Sequence, residues 1–207
     1  EDLASFWQAI AKEFSTFKNI YGYGLMNEPH DLAPETKWFD MAQASINAIR
    51  EVDTNTLIMV GGNDWSSAER WIEQSDTLKF LKDPANNLAF EAHVYFDKDA
   101  SGTYKYSYEE EECYPEKGID RVKPFVEWIK QNKFHGFIGE YGIPDNDPRW
   151  NETLDLFLGY LQENGINGTY WAAGPWWDTY FMAITPKDGK DRPQMPIIEK
   201  YTSTLKK

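Results

Sequence analysis

Tyr21-Gly22-Tyr23-Gly24-Leu25-Met26 is a short apolar run with two glycines, and it ends in Asn27-Glu28-Pro29-His30. It reads as a buried strand. The next two elements decide the fold. Residues 35–53 place Trp38, Met41, Ala42, Ile46 and Ile49 on one helical face. Leu57 to Val60 is then an aliphatic run closed by Gly61-Gly62, a second strand. A strand, an amphipathic helix and another strand in this order predict a parallel pair joined by a crossover helix.

The alternation continues in both directions. Upstream, Leu3, Phe6, Trp7, Ile10, Phe14 and Phe17 recur at helical spacing with no cap before them, as if the chain began mid-fold. Downstream the pattern predicts a weaker helix over 65–82 and a strand over Leu88–Tyr95. Helix Ile119–Gln131, strand His135–Gly139, helix Asn151–Glu163, strand Gly168–Ala172 and a last helix Pro196–Leu205 complete it. Two loops interrupt it. Residues 97–117 are polar, with Gly102, four tyrosines and the acidic run Glu109–Glu112, which reads as a solvated face. Residues 173–192 carry Trp176, Trp177 and Tyr180. A doubly wound sheet and a barrel both fit this order. Neither GxGxxG nor a P-loop is present, which removes the usual nucleotide-binding readings.

Composition narrows the partners. The chain has 207 residues and a net charge of −13, which disfavours nucleic acid and anionic membranes. It contains 9 Trp, 12 Tyr and 12 Phe, enough to fill a core and still line a cleft for a neutral ligand. No apolar run approaches the ~18 residues of a membrane span, and no signal peptide is visible. Cys113 is the single cysteine, so no disulfide forms within the chain. Asn151-Glu152-Thr153 and Asn167-Gly168-Thr169 match the glycosylation sequon, a pattern that chance produces often.

Chemistry-bearing residues gather at the C-terminal ends of the proposed strands: Asn27 and Glu28; Asn63, Asp64 and Trp65; His93 and Tyr95; Glu140; Trp171. In a parallel α/β fold these ends share one face, where active sites form. Singly, each residue has an ordinary structural reading. Together they supply carboxylate, amide, imidazole, phenol and indole. Glu28 and Glu140 suit glycoside hydrolysis, in which one carboxylic acid protonates the leaving oxygen and an ionised carboxylate attacks or activates water. A separation of roughly 5–5.5 Å would make the reaction retaining. Acyl transfer fits less well, with no Gly-x-Ser-x-Gly elbow. His93 has no partner at metal-ligand spacing, and no cofactor is expected.

Tyr23-Gly24-Leu25-Met26-Asn27-Glu28-Pro29 resembles the acid/base strand of glycoside hydrolase family 5. Phe137-Ile138-Gly139-Glu140-Tyr141-Gly142 resembles its nucleophile strand. Gly62-Asn63-Asp64-Trp65-Ser66-Ser67-Ala68 and His93-Val94-Tyr95-Phe96-Asp97, with Asp99 and Ser101-Gly102-Thr103, are similar to an endoglucanase-rich branch of that family. The resemblance runs over essentially the whole chain. It implies a (β/α)8 TIM barrel, of which residues 1–207 supply strands 4–8 and helices 3–8, with strands 1–3 missing from this chain. A second chain or upstream segment would then complete the barrel, with a cysteine there available to Cys113.

The resemblance also implies roles. Glu28 would be the acid/base and Glu140 the nucleophile of a retaining endo-β-1,4-glucanase. Asn27 would hold the substrate 2-hydroxyl. His93 and Tyr95 would belong to the −1 subsite, with Trp171 as its sugar platform. Trp65, Trp176 and Trp177 would be outer platforms or core residues. The expected partner is a β-glucan such as cellulose or carboxymethylcellulose, met outside the cell. The alternatives are another family 5 glycanase, a β-mannanase or xylanase, or a half-enzyme inert without its completing segment.

Overall fold

The computed structural model describes residues 2–33 and 37–202. Helix α1 spans Asp2–Phe14, strand β1 Gly22–Gly24, helix α2 Trp38–Arg50 and strand β2 Leu57–Gly61. Short helices α3 (Asn63–Ser66) and α4 (Trp71–Ser75) and a 3-10 turn (Asp76–Phe80) precede strand β3, Leu88–His93. Helix α5 (Lys117–Asn132), strand β4 (His135–Tyr141), helix α6 (Arg149–Glu163), strand β5 (Asn167–Tyr170) and helix α7 (Met195–Tyr201) come after it. The strands are ordered β1-β2-β3-β4-β5, and the registers Tyr23↔Ile58 and Met59↔Ala89 are parallel. Strands that neighbour in sequence order, each followed by helix, give the parallel α/β fold that the alternation predicts.

The differences have local causes. α1 ends at Phe14, so Phe17 leaves the helical face and stands exposed. The single helix expected over 65–82 is broken because Asp64, Trp65 and Ser66 adopt φ values of 55°, 55° and 56°, which no right-handed helix contains. β3 stops at His93, two residues early, and β5 stops at Tyr170, which leaves Trp171 just past its end. β4 runs on to Tyr141 and takes in Glu140. Residues 35 and 36 of the second predicted helix, and the end of the last one at Leu205, lie outside the described residues.

The chain divides into two compact units. Residues 1–92 and 124–137 form the first. Its core holds Trp71 against Phe125 (ring centroids 4.6 Å) and Phe90 against Trp128 (4.9 Å). Two indole N–H groups find carbonyls: Trp7 donates to Leu25 (3.0 Å) and Trp38 to Gly61 (2.7 Å). Residues 93–123 and 138–207 form the second unit. There Phe157 of α6 meets Phe96 (5.2 Å) and Tyr141 (5.3 Å), and Trp150 meets Tyr104 (5.0 Å).

Two buried carboxylates hold the first unit's strand entries. Asp83 takes both Nε (2.7 Å) and Nη2 (3.0 Å) of Arg50 and the amides of Ala85 and Asn87. Asp53 accepts from Tyr23, from the Thr56 hydroxyl and from the Asn55 and Thr56 amides. Burial alone would raise the Asp53 carboxyl. The Thr56, Asn55 and Tyr23 donors outweigh burial and hold it at about 2. A group so depressed contributes stability above its unfolded value, near ~3.9. That contribution disappears as pH falls from about 4 toward 2, so Asp53→Asn should flatten the acid limb of urea-midpoint against pH. Asp83→Ala leaves the Arg50 guanidinium buried without its partner. It should cost about 3–5 kcal/mol in urea unfolding at neutral pH.

Candidate active site

The predicted residues fall into two groups, one in each unit. In the first unit Asn27 and Glu28 come after β1, and Asn27 is exposed while Glu28 is half-buried. The Asn27 carbonyl accepts a hydrogen bond from Ser66 Oγ at 3.0 Å, which ties the turn after β2 to the residue beside Glu28. That turn carries Trp65, 46% exposed, and the His30 ring lies against its indole. Asp64 is ion-paired with Arg70 at 2.8 Å. Asn63 donates to the Gln74 carbonyl at 2.9 Å and is a turn-holding residue. Both aromatic rings border a cavity of about 400 Å³.

In the second unit Glu140 lies near the end of β4 and is buried, 8% exposed. Its backbone carbonyl accepts from the Val94 amide at 3.0 Å. The Tyr95 hydroxyl donates to Glu140 Oε2 at 2.7 Å, and His93 Nδ1 stands 3.7 Å from the same oxygen. Burial first, and then the Glu140 charge, push the Tyr95 hydroxyl far above its ordinary value. Tyr95 therefore stays protonated and donates to the carboxylate. A buried carboxylate with a charge-assisted donor at this distance is held in one orientation.

Trp171 is half-buried, and its amide donates to the Tyr141 carbonyl at 2.8 Å. A side chain at Gly142 would meet the Trp171 carbonyl at 2.3 Å, so only glycine lets the two backbones approach this closely. Trp177 packs edge-on against Trp171 (4.9 Å), and Tyr180 lies tilted against Trp177 (5.0 Å). Trp176 projects outward, 90% exposed. Tyr180 is a residue the sequence reading placed on the loop but not in the site. Burial raises its hydroxyl, a hydrogen bond with Trp171 opposes this, and the Glu140 charge adds to the rise. Its spacing from the Trp176-Trp177 pair was the available signal.

The long loop after β3, whose acidic run Glu109–Glu112 reads as a solvated face, is wired by two carboxylates. Asp97 accepts from the amides of Gly102 (3.1 Å), Thr103 (3.0 Å) and Tyr104 (3.2 Å). Glu111, from the middle of the acidic run, is buried and accepts from the amides of Lys98 and Tyr106, both at 2.8 Å. Tyr104 crosses the unit, accepting from the Phe96 amide and donating to the Gly142 carbonyl at 2.6 Å. The result is a floor for Tyr95: Gly102, at φ +72°, lies so close that an added Cβ would touch the Tyr95 ring at 3.0 Å. Cys113 is half-buried beside Thr153 (3.9 Å), and burial raises its thiol. Gly102→Ala should combine a strained backbone with a clash against Tyr95. It should lower stability in urea by about 1–3 kcal/mol and alter near-ultraviolet circular dichroism.

Comparison with known proteins identifies the family. Residues 1–176 match the Cellulase family, glycosyl hydrolase family 5. Endo-beta-1,4-glucanase B of Emericella nidulans is 36% identical over 193 residues, which are 91% of this chain and 56% of that protein. The crystal structure of Pseudomonas stutzeri endoglucanase Cel5A with cellobiose superposes with a TM-score of 0.89 and 44% identity, covering 96% of this chain and 59% of that one. XacCel5A with cellopentaose gives 0.86 and 39%, covering 97% of this chain and 65% of that one. The chain thus spans little more than half the length of the fungal relative. With the family match extending over most of its residues, the chain belongs to the cellulase family, glycosyl hydrolase family 5.

Proposed function

We propose that these residues carry the catalytic carboxylates of a retaining endo-β-1,4-glucanase, with Glu140 as nucleophile and Glu28 as acid/base. The observation that carries this reading is the buried Glu140 held by the Tyr95 hydroxyl at 2.7 Å. A nucleophilic carboxylate must be aimed, and the Tyr95 hydrogen bond holds Glu140 in one orientation. Relatives named endoglucanases, and solved relatives described with cellobiose and cellopentaose, support the β-glucan class.

In this mechanism Glu140 attacks the anomeric carbon while protonated Glu28 gives its proton to the glycosidic oxygen. The C–O bond breaks and a glycosyl ester on Glu140 forms. Glu28, now a carboxylate, takes a proton from water as the water attacks the same carbon, and Glu140 is released with configuration retained. Asn27 is assigned to the 2-hydroxyl and His93 with Tyr95 to the −1 sugar. Trp171 is the −1 platform, and Trp65, Trp176 and Trp177 are outer platforms. Aromatic faces suit the apolar faces of sugar rings. We place the remaining barrel strands, and the rest of the −1 wall, on a segment outside these 207 residues. A polymeric, insoluble substrate places the reaction outside the cell.

The test is reducing-sugar release by the full-length protein from carboxymethylcellulose, mannan and xylan. Carboxymethylcellulose should be preferred, and faster release from mannan or xylan would move the substrate class. Glu28→Gln should cut turnover by about 10²–10⁴-fold. Glu140→Ala should abolish turnover while cello-oligosaccharide binding persists. Turnover surviving in Glu140→Ala would overturn the nucleophile assignment.

A further inference from the structure

One contact in the first unit has no part in the two-carboxylate reaction. The His30 imidazole lies parallel to the Trp65 indole, with centroids 4.4 Å apart and planes 14° from each other. The backbone around Trp65 is well fixed. Asp64, Trp65 and Ser66 are all left-handed, Ser66 is bonded to the Asn27 carbonyl, and Asp64 is paired with Arg70. The indole itself is not fixed by burial, being 46% exposed. A half-exposed side chain keeps rotamer freedom unless a neighbour removes it. His30 is that neighbour. It comes directly after Pro29, whose ring sets the backbone φ, and its Nδ1 lies 3.1 Å from Asp31 Oδ2.

We propose that His30 is a positioning residue: stacked on one face of Trp65, it fixes the indole plane so that the opposite face is a ready wall for a sugar ring. The inference rests on the reading of Trp65 as a sugar platform. Both rings border the cavity of about 400 Å³, a size usual for small-molecule sites, and Lys37, Asp64, Gln74 and Thr77 supply polar edges that suit a hydroxyl-rich ligand. A platform that is ordered before the ligand arrives binds it more tightly, because the ordering cost is already met. The effect falls on sugar binding, not on bond cleavage.

The experiment compares the full-length enzyme with Trp65→Ala, His30→Ala and His30→Phe on cellotetraose and cellopentaose. His30→Ala should raise KM by about 3- to 10-fold, in line with the loss of one aromatic pair, with kcat little changed. His30→Phe should restore most of it, because a flat ring suffices. A KM unchanged or lowered in His30→Ala, with Trp65→Ala still raising it, overturns the positioning role and leaves the platform reading intact. A Trp65→Ala enzyme with unaltered KM defeats the platform reading itself. Should the unsubstituted protein not turn over, the functional reading fails. Cellotetraose affinity by calorimetry in the same variants then decides the role of His30.

Discussion

Parallel strand pairing in sequence order is the constraint on which the rest of this structure depends. Each strand must be followed by a crossover long enough to return the chain, and each therefore ends where its neighbours end. The registers Tyr23↔Ile58 and Met59↔Ala89 align the strands so closely that residues just past them become neighbours of one another. Thus Ser66, after β2, reaches the carbonyl of Asn27, after β1. In the second unit Tyr95, two residues past β3, reaches Glu140 on β4, and Trp171, one residue past β5, bonds the Tyr141 backbone. The polar positions are set by pairing, not by local sequence preference.

Much of this was legible because periodicity survives the loss of detail. Aliphatic runs such as Leu57–Val60 and three-four spacing such as Ala42, Ile46 and Ile49 report burial directly, and burial is what fixes the elements. The candidate chemistry was legible on a different basis: each strand-end polar residue has an ordinary structural reading singly, several gathered at strand ends point to a site, and family resemblance supplied the roles. What was not legible has a common cause. Residues 65–82 read as a helix, yet the left-handed turn at Asp64–Ser66 is tied to a partner distant in sequence, the Asn27 carbonyl. Glu111 looks like its neighbours Glu109, Glu110 and Glu112, and only tertiary structure turns it inward onto the Lys98 and Tyr106 amides. Tyr180 is marked only by its spacing from Trp176 and Trp177, which does not by itself separate a site-facing ring from a core one.

The Asp97 and Glu111 carboxylates of the second unit also explain how a polar loop can support an ordered site. Tyr104 and Tyr108 of this segment pack on Trp150, but its backbone donors must still be satisfied individually. Asp97 and Glu111 accept five backbone N–H bonds between them. A carboxylate satisfies several donors at one point, and each such bond is charge-assisted. Arg121 and Lys117 complete the arrangement by donating to the carbonyls of Tyr95 and Glu111 (2.5 and 2.7 Å). Glu111, a member of the acidic run that reads as a solvated face, is thus one of the residues that order the loop.

That wiring bears on how Tyr95 does its work. A tyrosine that flexed would donate to Glu140 only part of the time, and a buried carboxylate left without its donor is costly. The ring is confined by Gly102 beneath it, its carbonyl is held by Arg121, and the next amide, that of Phe96, donates to Tyr104. Tyr104 in turn donates to Gly142, two residues beyond Glu140. The donor and the carboxylate it serves are thus positioned by one connected set of hydrogen bonds. The precision lies in that network rather than in the 2.7 Å contact alone, and it is why glycine, aspartate and tyrosine on a polar loop matter as much to this site as the carboxylate on the strand.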